Sequence, residues 1–386
     1  MSVVAPRGFR AAGIAAGLKP DGALDLALVA AEEMTGVAAL FTTNQAAAAP
    51  VRLSRRHLAI ARSRAVVINS GCANAATGSA GEAAAVATAV RAATALGCEP
   101  EEIIIGSTGL IGTKLPLERM LNGVDTAAAS LSTATASGLA AAEAIMTTDT
   151  VPKEVVVAGE GFLVGGMAKG AGMVRPDMAT MLVVLTTDAA VSDTDLDAAL
   201  RPAVDSSFHG LNIDGCPSTN DMVVALASGA SGNRPDPDQL AAAFEQACSQ
   251  LARLLAADAE GASRVVSIEV RGARTDDAAR SAGRALADSA LVRASFYGGD
   301  PNWGRVVGAL GAGPIELDPL LVDVAYAGEL VARNGEAMEF DAAALAEDLA
   351  AGDFTVSISL GDGPGSATVL TTDLTPDYVR FNAEPS

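Results

Sequence analysis

Residues 165–189 read GGMAKGAGMVRPDMATMLVVLTTDA, a glycine-rich part followed by an apolar part. The glycines allow close backbone approach and positive φ angles, and Pro176-Asp177 predicts a turn. The run from Met181 to Leu185 has the length and the valine content of a buried strand. Thr180 is therefore expected where a loose segment meets a strand.

The hydroxyl of Thr180 is a candidate nucleophile. If the Ala179–Thr180 bond were cut, Thr180 would carry both a hydroxyl and an α-amine base, which is the N-terminal threonine form of nucleophile activation. Most Ala-Thr pairs before an apolar run are only the start of a strand. The spacing alone leaves both interpretations open.

The composition limits the classes of partner. The chain has 386 residues, enough for a large core and two or more lobes. Aromatic residues make up only 3%, which predicts a core of alanine, valine, leucine and isoleucine. A net charge of −20 argues against binding to nucleic acid or to anionic membranes. An anionic substrate would need a local cationic site, so Lys169, one of four lysines, is informative within its flexible glycine run.

The cysteines, the histidines and the lengths of the apolar runs argue against further classes of protein and of site. The four cysteines are scattered without a CxxC pair, which predicts buried thiols in a reducing compartment and no metal site. Two isolated histidines are too few for most histidine-based catalysis. The first residues contain no apolar h-region, and no run reaches the roughly 18 apolar residues of a membrane helix. The sequence therefore predicts a soluble cytoplasmic protein.

Apolar runs, turn residues and caps predict the main elements. Two polar loops, 70–75 and 106–112, each follow a predicted buried strand, which is a common location for functional residues. The predicted strands are 65–69, 102–105, 222–227 and 265–270, with 354–360 and 367–371 flanking a glycine-rich hairpin turn; the predicted helices are 81–96, most of 116–144, 276–292, and two that begin at 192 and 236.

Several sequence blocks together carry a resemblance. Lys169-Gly-Ala-Gly-Met173 and Met178-Ala-Thr-Met-Leu182 resemble the self-cleaving ornithine acetyltransferase (glutamate N-acetyltransferase) family of arginine biosynthesis. Further blocks match in the same order, so that the resemblance covers nearly the whole chain; they lie near 69–75, 106–112, 145–153, 258–263, 300–305 and 378–382.

The resemblance implies an α/β fold of layered sheets and helices, of the type shared with self-processing aminopeptidases. It implies that the precursor cuts itself after Ala179. The products would be an alpha chain of residues 1–179 and a beta chain of residues 180–386. Two alpha and two beta chains are expected to assemble.

The resemblance also assigns site residues. Thr180 is the nucleophile and acetyl carrier, and the Thr108 hydroxyl with the Gly109 N–H forms the oxyanion hole. Lys169 is expected to hold the α-carboxylate of the substrate, and Glu260 suits the amine of ornithine. The expected substrate-binding residues are Thr147 (with Thr148 as the close alternative), Lys169, Thr180, Glu260, Asn382 and Ser386. Ser386 matches less well, because the tail is short and contains Pro385. Residues 218–221 are expected to support the site, and Trp303 to lock a nearby loop.

The implied reaction moves acetyl from N2-acetyl-L-ornithine to L-glutamate by a ping-pong route through an acetyl-Thr180 ester. It needs no cofactor and no metal, and the sequence does not decide whether acetyl-CoA is a second donor. One alternative is a self-processing aminopeptidase or amidase that passes the acyl group to water. A paralogue of a specialised pathway and a non-catalytic scaffold are further alternatives.

Overall fold

A computed structural model describes residues 2–173 and 181–383. The chain forms two compact units within these residues. The first unit comprises residues 2–173, 181–208 and 216–255, and the second comprises 209–215 and 256–383. Both units combine β-sheets with helices, so the expected α/β class of layered sheets and helices is confirmed. Three residues of the sequence-based site, Ala179, Thr180 and Ser386, lie outside the described residues.

The first unit contains two sheets. Its strands are β1 (Phe9–Ile14), β2 (Leu26–Ala31), β3 (Gly36–Phe41), β4 (Ala65–Asn69), β5 (Ile103–Ser107), β6 (Lys153–Ala158), β7 (Leu163–Lys169), β8 (Leu182–Thr187) and β9 (Met222–Ala227). Its helices are α1 (Ala49–Leu58), α2 (Gly78–Leu96), α3 (Leu117–Ala129), α4 (Thr135–Ala144), α5 (Asp193–Ser206) and α6 (Pro237–Ala257), the last of which ends just beyond the unit. The strand orders are β1-β2-β4-β5 and β3-β9-β8-β7-β6.

Side chains that alternate along the strands of the four-stranded sheet pack into two apolar clusters, one on each face of the sheet. Val66 and Ile68 of β4 pack in one apolar cluster with Val184 of β8, so the two sheets share a core. Val67, between them in β4, belongs to another cluster with alanines of α2 and with Val124 of α3. Successive strand side chains point to opposite faces. The four-stranded sheet is therefore buried on both faces, which explains why its strands are apolar runs rather than alternating patterns.

Some predicted helix ends are confirmed, and two of the five predicted helices are each divided in two. Gly97 has φ 68° and ends α2, as a C-terminal glycine should. Ser192 begins α5 in a capping box with Asp195. The predicted helix over 116–144 is instead two helices, because Ser132 pairs with Ala11 of β1 through two backbone hydrogen bonds of 3.0 and 3.1 Å. Those bonds require extended backbone between α3 and α4.

The second unit is built on a six-stranded sheet. Its strands are β10 (Val265–Gly272), β11 (Asp323–Tyr326), β12 (Glu329–Arg333), β13 (Glu336–Ala337), β14 (Phe354–Ser359) and β15 (Gly363–Thr372), in the order β13-β12-β11-β14-β10-β15. Its helices are α7 (Asp276–Asp288), α8 (Ala290–Tyr297), α9 (Trp303–Ala312), α10 (Ala342–Ala350) and α11 (Pro376–Ala383). The predicted helix over 276–292 divides because Ser289 is extended and caps α8, accepting a hydrogen bond from the Val292 N–H. Trp303 packs against the apolar core of this unit, and its expected role in locking a loop near the site stays a prediction.

The predicted hairpin at 361–365 is wrong. β14 and β15 do not pair with each other, because β10 lies between them, parallel to β14 and antiparallel to β15. The connection crosses the end of β10 closely, since a Cβ added to Gly272 would lie 2.0 Å from the Gly361 carbonyl oxygen. The glycines at 361–365 therefore let the connection between β14 and β15 pass close to the end of β10. They do not form a tight turn between two paired strands.

The prediction of buried thiols is only partly correct. Cys72 and Cys248 are buried, Cys98 is half-buried, and Cys216 is exposed in the loop before β9. Within the described residues, none of the four forms a disulfide bond. In residues 2–173 and 181–383, no helix has the length and apolar character needed to cross a bilayer.

Candidate active site

Two parallel strands end side by side in the first unit and carry the polar loops picked out from the sequence. β4 and β5 pair in parallel, with Asn69 opposite Ser107 at their carboxyl ends. The Ser107 hydroxyl donates to Asn69 Oδ1 at 2.6 Å, and the Thr108 N–H donates to the Asn69 carbonyl at 2.9 Å. Asn69 Nδ2 donates to the Cys72 carbonyl at 2.9 Å. These bonds fix Thr108 at the start of its loop.

Gly109 occupies a position that only glycine fits. Its φ is 125°, a conformation that L side chains rarely adopt. An added Cβ would also lie 2.5 Å from the Gly71 carbonyl carbon and 2.7 Å from the Cys72 nitrogen. The two polar loops therefore approach each other so closely here that a side chain is excluded.

Lys169 is not on a mobile glycine loop, contrary to the sequence-based expectation. It is the last residue of β7, its side chain is 2% exposed, and the strand pairs with β6 and β8 on its two sides. Its Nζ donates to Thr147 Oγ1 at 2.7 Å and to Thr108 Oγ1 at 3.2 Å. Three residues predicted from separate sequence blocks, 108, 147 and 169, thus meet at one ammonium group.

The glycines around Lys169 agree with the expected close approach but not with the expected flexible run. Gly165 and Gly166 lie within β7, where an added Cβ would come within 2.5 Å of the Ser2 carbonyl oxygen or 2.8 Å of a Leu185 methyl carbon, respectively. Only Gly170, with φ 151°, has the expected positive angle among the glycines flanking Lys169. Close packing of β7, rather than looseness, therefore explains the glycine-rich sequence before Lys169.

Asp149 contacts the ammonium groups of both Lys153 and Lys169. Its Oδ1 accepts hydrogen bonds from Lys153 Nζ at 2.7 Å and from the Gly170 N–H at 2.8 Å. Its Oδ2 accepts one from the Thr147 N–H at 3.0 Å and lies 3.9 Å from Lys169 Nζ. The side chains of Asp149 and Lys153 are fully buried. One carboxylate therefore connects the loop after α4 to the strands β6 and β7.

The charge state of Asp149 follows from these contacts. Burial acts to raise the pKa of its carboxyl, but the attraction of Lys169 and Lys153 and the hydrogen bond from Gly170 outweigh burial and lower the pKa to about 2. Asp149 is therefore ionised at neutral pH, and the lysines around it keep a counter-ion.

Three of the chain's four lysines interact with Asp149. Attraction to Asp149 also acts on Lys19, which is half-buried and donates from Nζ to the Leu24 carbonyl at 2.8 Å. Burial lowers the pKa of Lys19, and Asp25, Asp21 and Asp149 oppose that shift. Lys19, Lys153 and Lys169 are three of the four lysines of the sequence. This region therefore holds charges of both signs, and the binding of an anionic substrate by its lysines stays a prediction.

The sequence left Thr147 and Thr148 as alternatives for a contact with substrate, and that choice stays a prediction, although the two side chains differ in their surroundings. Thr147 is half-buried and accepts a hydrogen bond from Lys169, whereas Thr148 is exposed. Sequence reasoning did not include Asp149 or Lys153 in the site. Both belong to the matching block at 145–153, and Lys153 is one of the rare lysines, so these two signals could have identified them.

Residues 218–221 support the same region, as expected. Asn220 Nδ2 donates to the carbonyls of Ala73 and Ser107 at 2.7 and 2.9 Å. Asp221 Oδ1 accepts the N–H of Met181 at 3.1 Å. Burial raises the pKa of the Asp221 carboxyl well above its usual value. Because Met181 is bonded to Thr180, Asp221 anchors the described residue next in sequence to the predicted nucleophile.

Two predicted substrate ligands meet in the second unit. Asn382 Nδ2, on α11, donates to Glu260 Oε2 at 3.2 Å. Gly261, with φ 64°, allows α11 to begin against this turn, since an added Cβ would lie 2.3 Å from the Tyr378 nitrogen. The Thr375 hydroxyl also bonds the Gly261 carbonyl. The pairing of Glu260 with Asn382 is thus a feature of the fold, and their roles toward substrate stay predictions.

Comparisons with known proteins find relatives over nearly the whole chain. A family model described as the ArgJ family matches residues 10–385. The Arginine biosynthesis bifunctional protein ArgJ of Thermobifida fusca is 48% identical over 99% of both chains. A crystal structure of the argJ protein of Bacillus halodurans is 34% identical, covers 52% of this chain and 97% of its own, and has a TM-score of 0.50. A crystal structure of an ornithine acetyltransferase from Mycobacterium tuberculosis, complexed with ornithine, is 46% identical over 45% of this chain and 94% of its own, with a TM-score of 0.42.

Proposed function

Because the chain belongs to the ArgJ family, we propose that it transfers the acetyl group of N2-acetyl-L-ornithine to L-glutamate in arginine biosynthesis. The observation that carries the proposal is the buried cluster in which Lys169 bonds the hydroxyls of Thr108 and Thr147. A buried cation that bonds two hydroxyls can bind an anionic amino acid and stabilise negative charge on a reacting carbonyl.

The proposed precursor cuts its own Ala179–Thr180 bond and so gives chains of residues 1–179 and 180–386. The Thr180 hydroxyl attacks the carbonyl of Ala179, the acyl group moves from nitrogen to oxygen, and water hydrolyses the resulting ester. The α-amine released on Thr180 has a typical pKa of about 7.7–8.0, so part of it is neutral near pH 8 and can act as a base.

Acetyl transfer then repeats this chemistry on an external amide. The Thr180 hydroxyl gives its proton to the α-amine and attacks the acetyl carbonyl of acetylornithine. The Thr108 hydroxyl and the Gly109 N–H stabilise the oxyanion, and collapse expels ornithine, whose nitrogen takes the proton. In the second half of the ping-pong reaction, the neutral glutamate amine attacks the acetyl-Thr180 ester, the bond between the acetyl carbon and the Thr180 oxygen breaks, and a proton from the attacking nitrogen passes through the α-amine to restore the Thr180 hydroxyl as N-acetylglutamate leaves.

The remaining proposals concern the substrate-binding residues, the co-substrate, the assembly and the location of the protein. Lys169 holds the α-carboxylate that both substrates share, and Glu260 and Asn382 bind their other polar groups, with Ser386 as a further contact. The reaction uses no metal or cofactor, and acetyl-CoA is the one co-substrate to be tested as a second donor. We further propose assembly from two alpha and two beta chains and a cytoplasmic location.

A transfer assay tests the function. Purified protein is incubated with acetylornithine labelled in the acetyl group, with and without glutamate, and the labelled products are separated. We expect labelled N-acetylglutamate and release of ornithine that depends on glutamate. Release of labelled acetate at a rate independent of glutamate would instead identify an amidase. Acetyl-CoA in place of acetylornithine tests the second donor in the same assay.

The proposed oxyanion hole predicts a defect in the chemical step. Thr108→Ala is expected to lower kcat by roughly 10²-fold with a modest change in KM, because this donor acts mainly on charge that develops in the transition state. Initial rates with acetylornithine and glutamate each varied measure both constants. A change confined to KM would remove Thr108 from the oxyanion hole and assign it to ground-state binding.

Neighbouring threonines provide a matched pair for substrate binding. Thr147→Ala removes the hydroxyl that Lys169 bonds at 2.7 Å, whereas Thr148→Ala changes an exposed residue of the same loop. We expect Thr147→Ala to lower kcat/KM for acetylornithine about 10-fold or more, in line with the loss of a hydrogen bond to a charged group. Thr148→Ala should stay close to wild type, and the reverse ranking would exchange the two assignments.

A further inference from the structure

The contact between Lys169 and Thr108 has a direction. A lysine ammonium has only donors, so both threonine hydroxyls accept from it. A hydroxyl that accepts from one partner still has its own hydrogen to donate elsewhere. Thr108 Oγ1 can therefore accept from Lys169 and donate to a ligand oxygen at the same time.

The two threonine hydroxyls lie closer to the Lys169 ammonium than the Asp149 carboxylate does. Asp149 is bonded to Lys153 at 2.7 Å but lies 3.9 Å from Lys169, farther than either threonine oxygen. Among Asp149, Thr108 and Thr147, the groups nearest to the Lys169 ammonium are thus the two neutral hydroxyls. The Lys169 side chain is 2% exposed, so water screens its charge little.

We infer that Lys169 contributes to acetyl transfer through Thr108, by polarising the hydroxyl that stabilises the oxyanion. A hydroxyl that accepts from a cation becomes a stronger donor, because hydrogen bonds in a chain polarise one another. No proton moves in this step: Lys169 stays an ammonium and Thr108 keeps its hydrogen. The inference rests on the proposed function and assigns Lys169 a second role, besides the substrate carboxylate.

The two roles of Lys169 differ in the constant they affect. Binding of a carboxylate shared by both substrates stabilises ground state and transition state alike, so its loss raises KM. Polarising Thr108 stabilises charge that appears only as the tetrahedral intermediate forms, so its loss lowers kcat. Replacing Lys169 should therefore lower kcat in addition to any increase in KM.

A double-mutant cycle tests the coupling between the two residues. Thr108→Val, Lys169→Gln and the double variant are compared with wild type by kcat for the acetylornithine–glutamate reaction. Rates are expressed per cleaved chain, which intact-mass spectrometry quantifies. Lys169→Gln retains an N–H donor of similar length and removes the charge, and Lys169→Met serves as a second variant in case glutamine does not yield a folded protein.

The expected result is strong non-additivity. If Thr108→Val costs about 10²-fold in kcat and Lys169→Gln about 10-fold, independent effects would multiply to about 10³-fold in the double variant. Action through Thr108 predicts that the double variant stays near the 10²-fold loss of Thr108→Val. Lys153→Gln, at the other lysine of Asp149, provides the comparison, and its effect should multiply with that of Thr108→Val.

Two outcomes would overturn the inference. One is a kcat loss for Lys169→Gln that multiplies fully with that of Thr108→Val. The other is a change in KM alone, which leaves Lys169 as a carboxylate ligand only. Both require an active wild-type enzyme, so they are distinct from failure of the proposed function, in which wild-type protein itself transfers no acetyl group to glutamate.

Discussion

Thr180→Ala is expected to leave the chain uncut and without measurable acetyl transfer. The same hydroxyl is proposed to attack the Ala179 carbonyl during self-cleavage and the acetyl carbonyl during catalysis, and alanine has neither a nucleophilic oxygen nor, in an uncut chain, a free α-amine. A denaturing gel of fresh protein should show one band for the full chain. Wild-type protein should give two bands, for residues 1–179 and 180–386.

Two controls make this result specific. Thr180→Ser retains a hydroxyl and should still be cut, at a rate that a time course on the same gel measures. Thr148→Ala changes an exposed threonine and should be cut as wild type is. Normal turnover by the alanine variant would refute the nucleophile assignment. An uncut but fully active wild-type chain would remove the α-amine from the mechanism.

Local sequence predicted the elements better than their pairing. The run 65–69 is a strand with those limits because an apolar run of that length has few alternatives. The parallel pairing of β4 with β5, which brings Asn69 and Ser107 together, joins residues 38 positions apart and leaves no local signal. The hairpin prediction at 361–365 failed for the same reason, since the strand inserted between β14 and β15 is distant in sequence.

The sequence predicted the site residues as separate blocks. It did not predict the buried charged pair beside them, because that burial depends on the fold. Asp149 and Lys153 are four residues apart, a spacing that on a helix surface usually indicates a weak exposed ion pair. Here Lys153 begins β6 instead, opposite Ala168 of β7, and both charged side chains are buried. Burial depends on packing from distant segments, so periodicity gave no reason to include this pair in the site.

Asp149→Ala is expected to destabilise the first unit strongly. It would leave two buried ammonium groups, Lys153 and Lys169, without the carboxylate between them, and breaking a buried ion pair from one side costs about 3–5 kcal/mol. The three hydrogen bonds from Lys153, Gly170 and Thr147 would be lost as well. Urea unfolding followed by circular dichroism measures the change against wild type.

The matched control is Asp197→Ala, which breaks the exposed pair with Arg201 on α5 in the same unit. Exposed pairs contribute roughly 0–1 kcal/mol, so this variant should unfold close to wild type. Adding Lys153→Met to Asp149→Ala removes one of the two buried ammonium groups and should restore part of the lost stability. Equal effects of Asp149→Ala and Asp197→Ala would show that the buried carboxylate does not stabilise the fold.

The pH dependence of the Asp149 contribution has a defined sign. The folded-state pKa of this carboxyl is lowered to about 2, whereas an unfolded aspartate titrates near 3.9. A lowered folded-state pKa means that the ion pair contributes its full stability above about pH 4 and loses it progressively as the pH falls toward 2. The difference in unfolding free energy between wild type and Asp149→Asn, a neutral side chain of nearly the same shape, should therefore be constant from pH 7 to 5 and shrink below pH 4. A difference that stays constant down to the lowest pH at which both proteins fold would mean that the charge of Asp149 is not what stabilises the cluster.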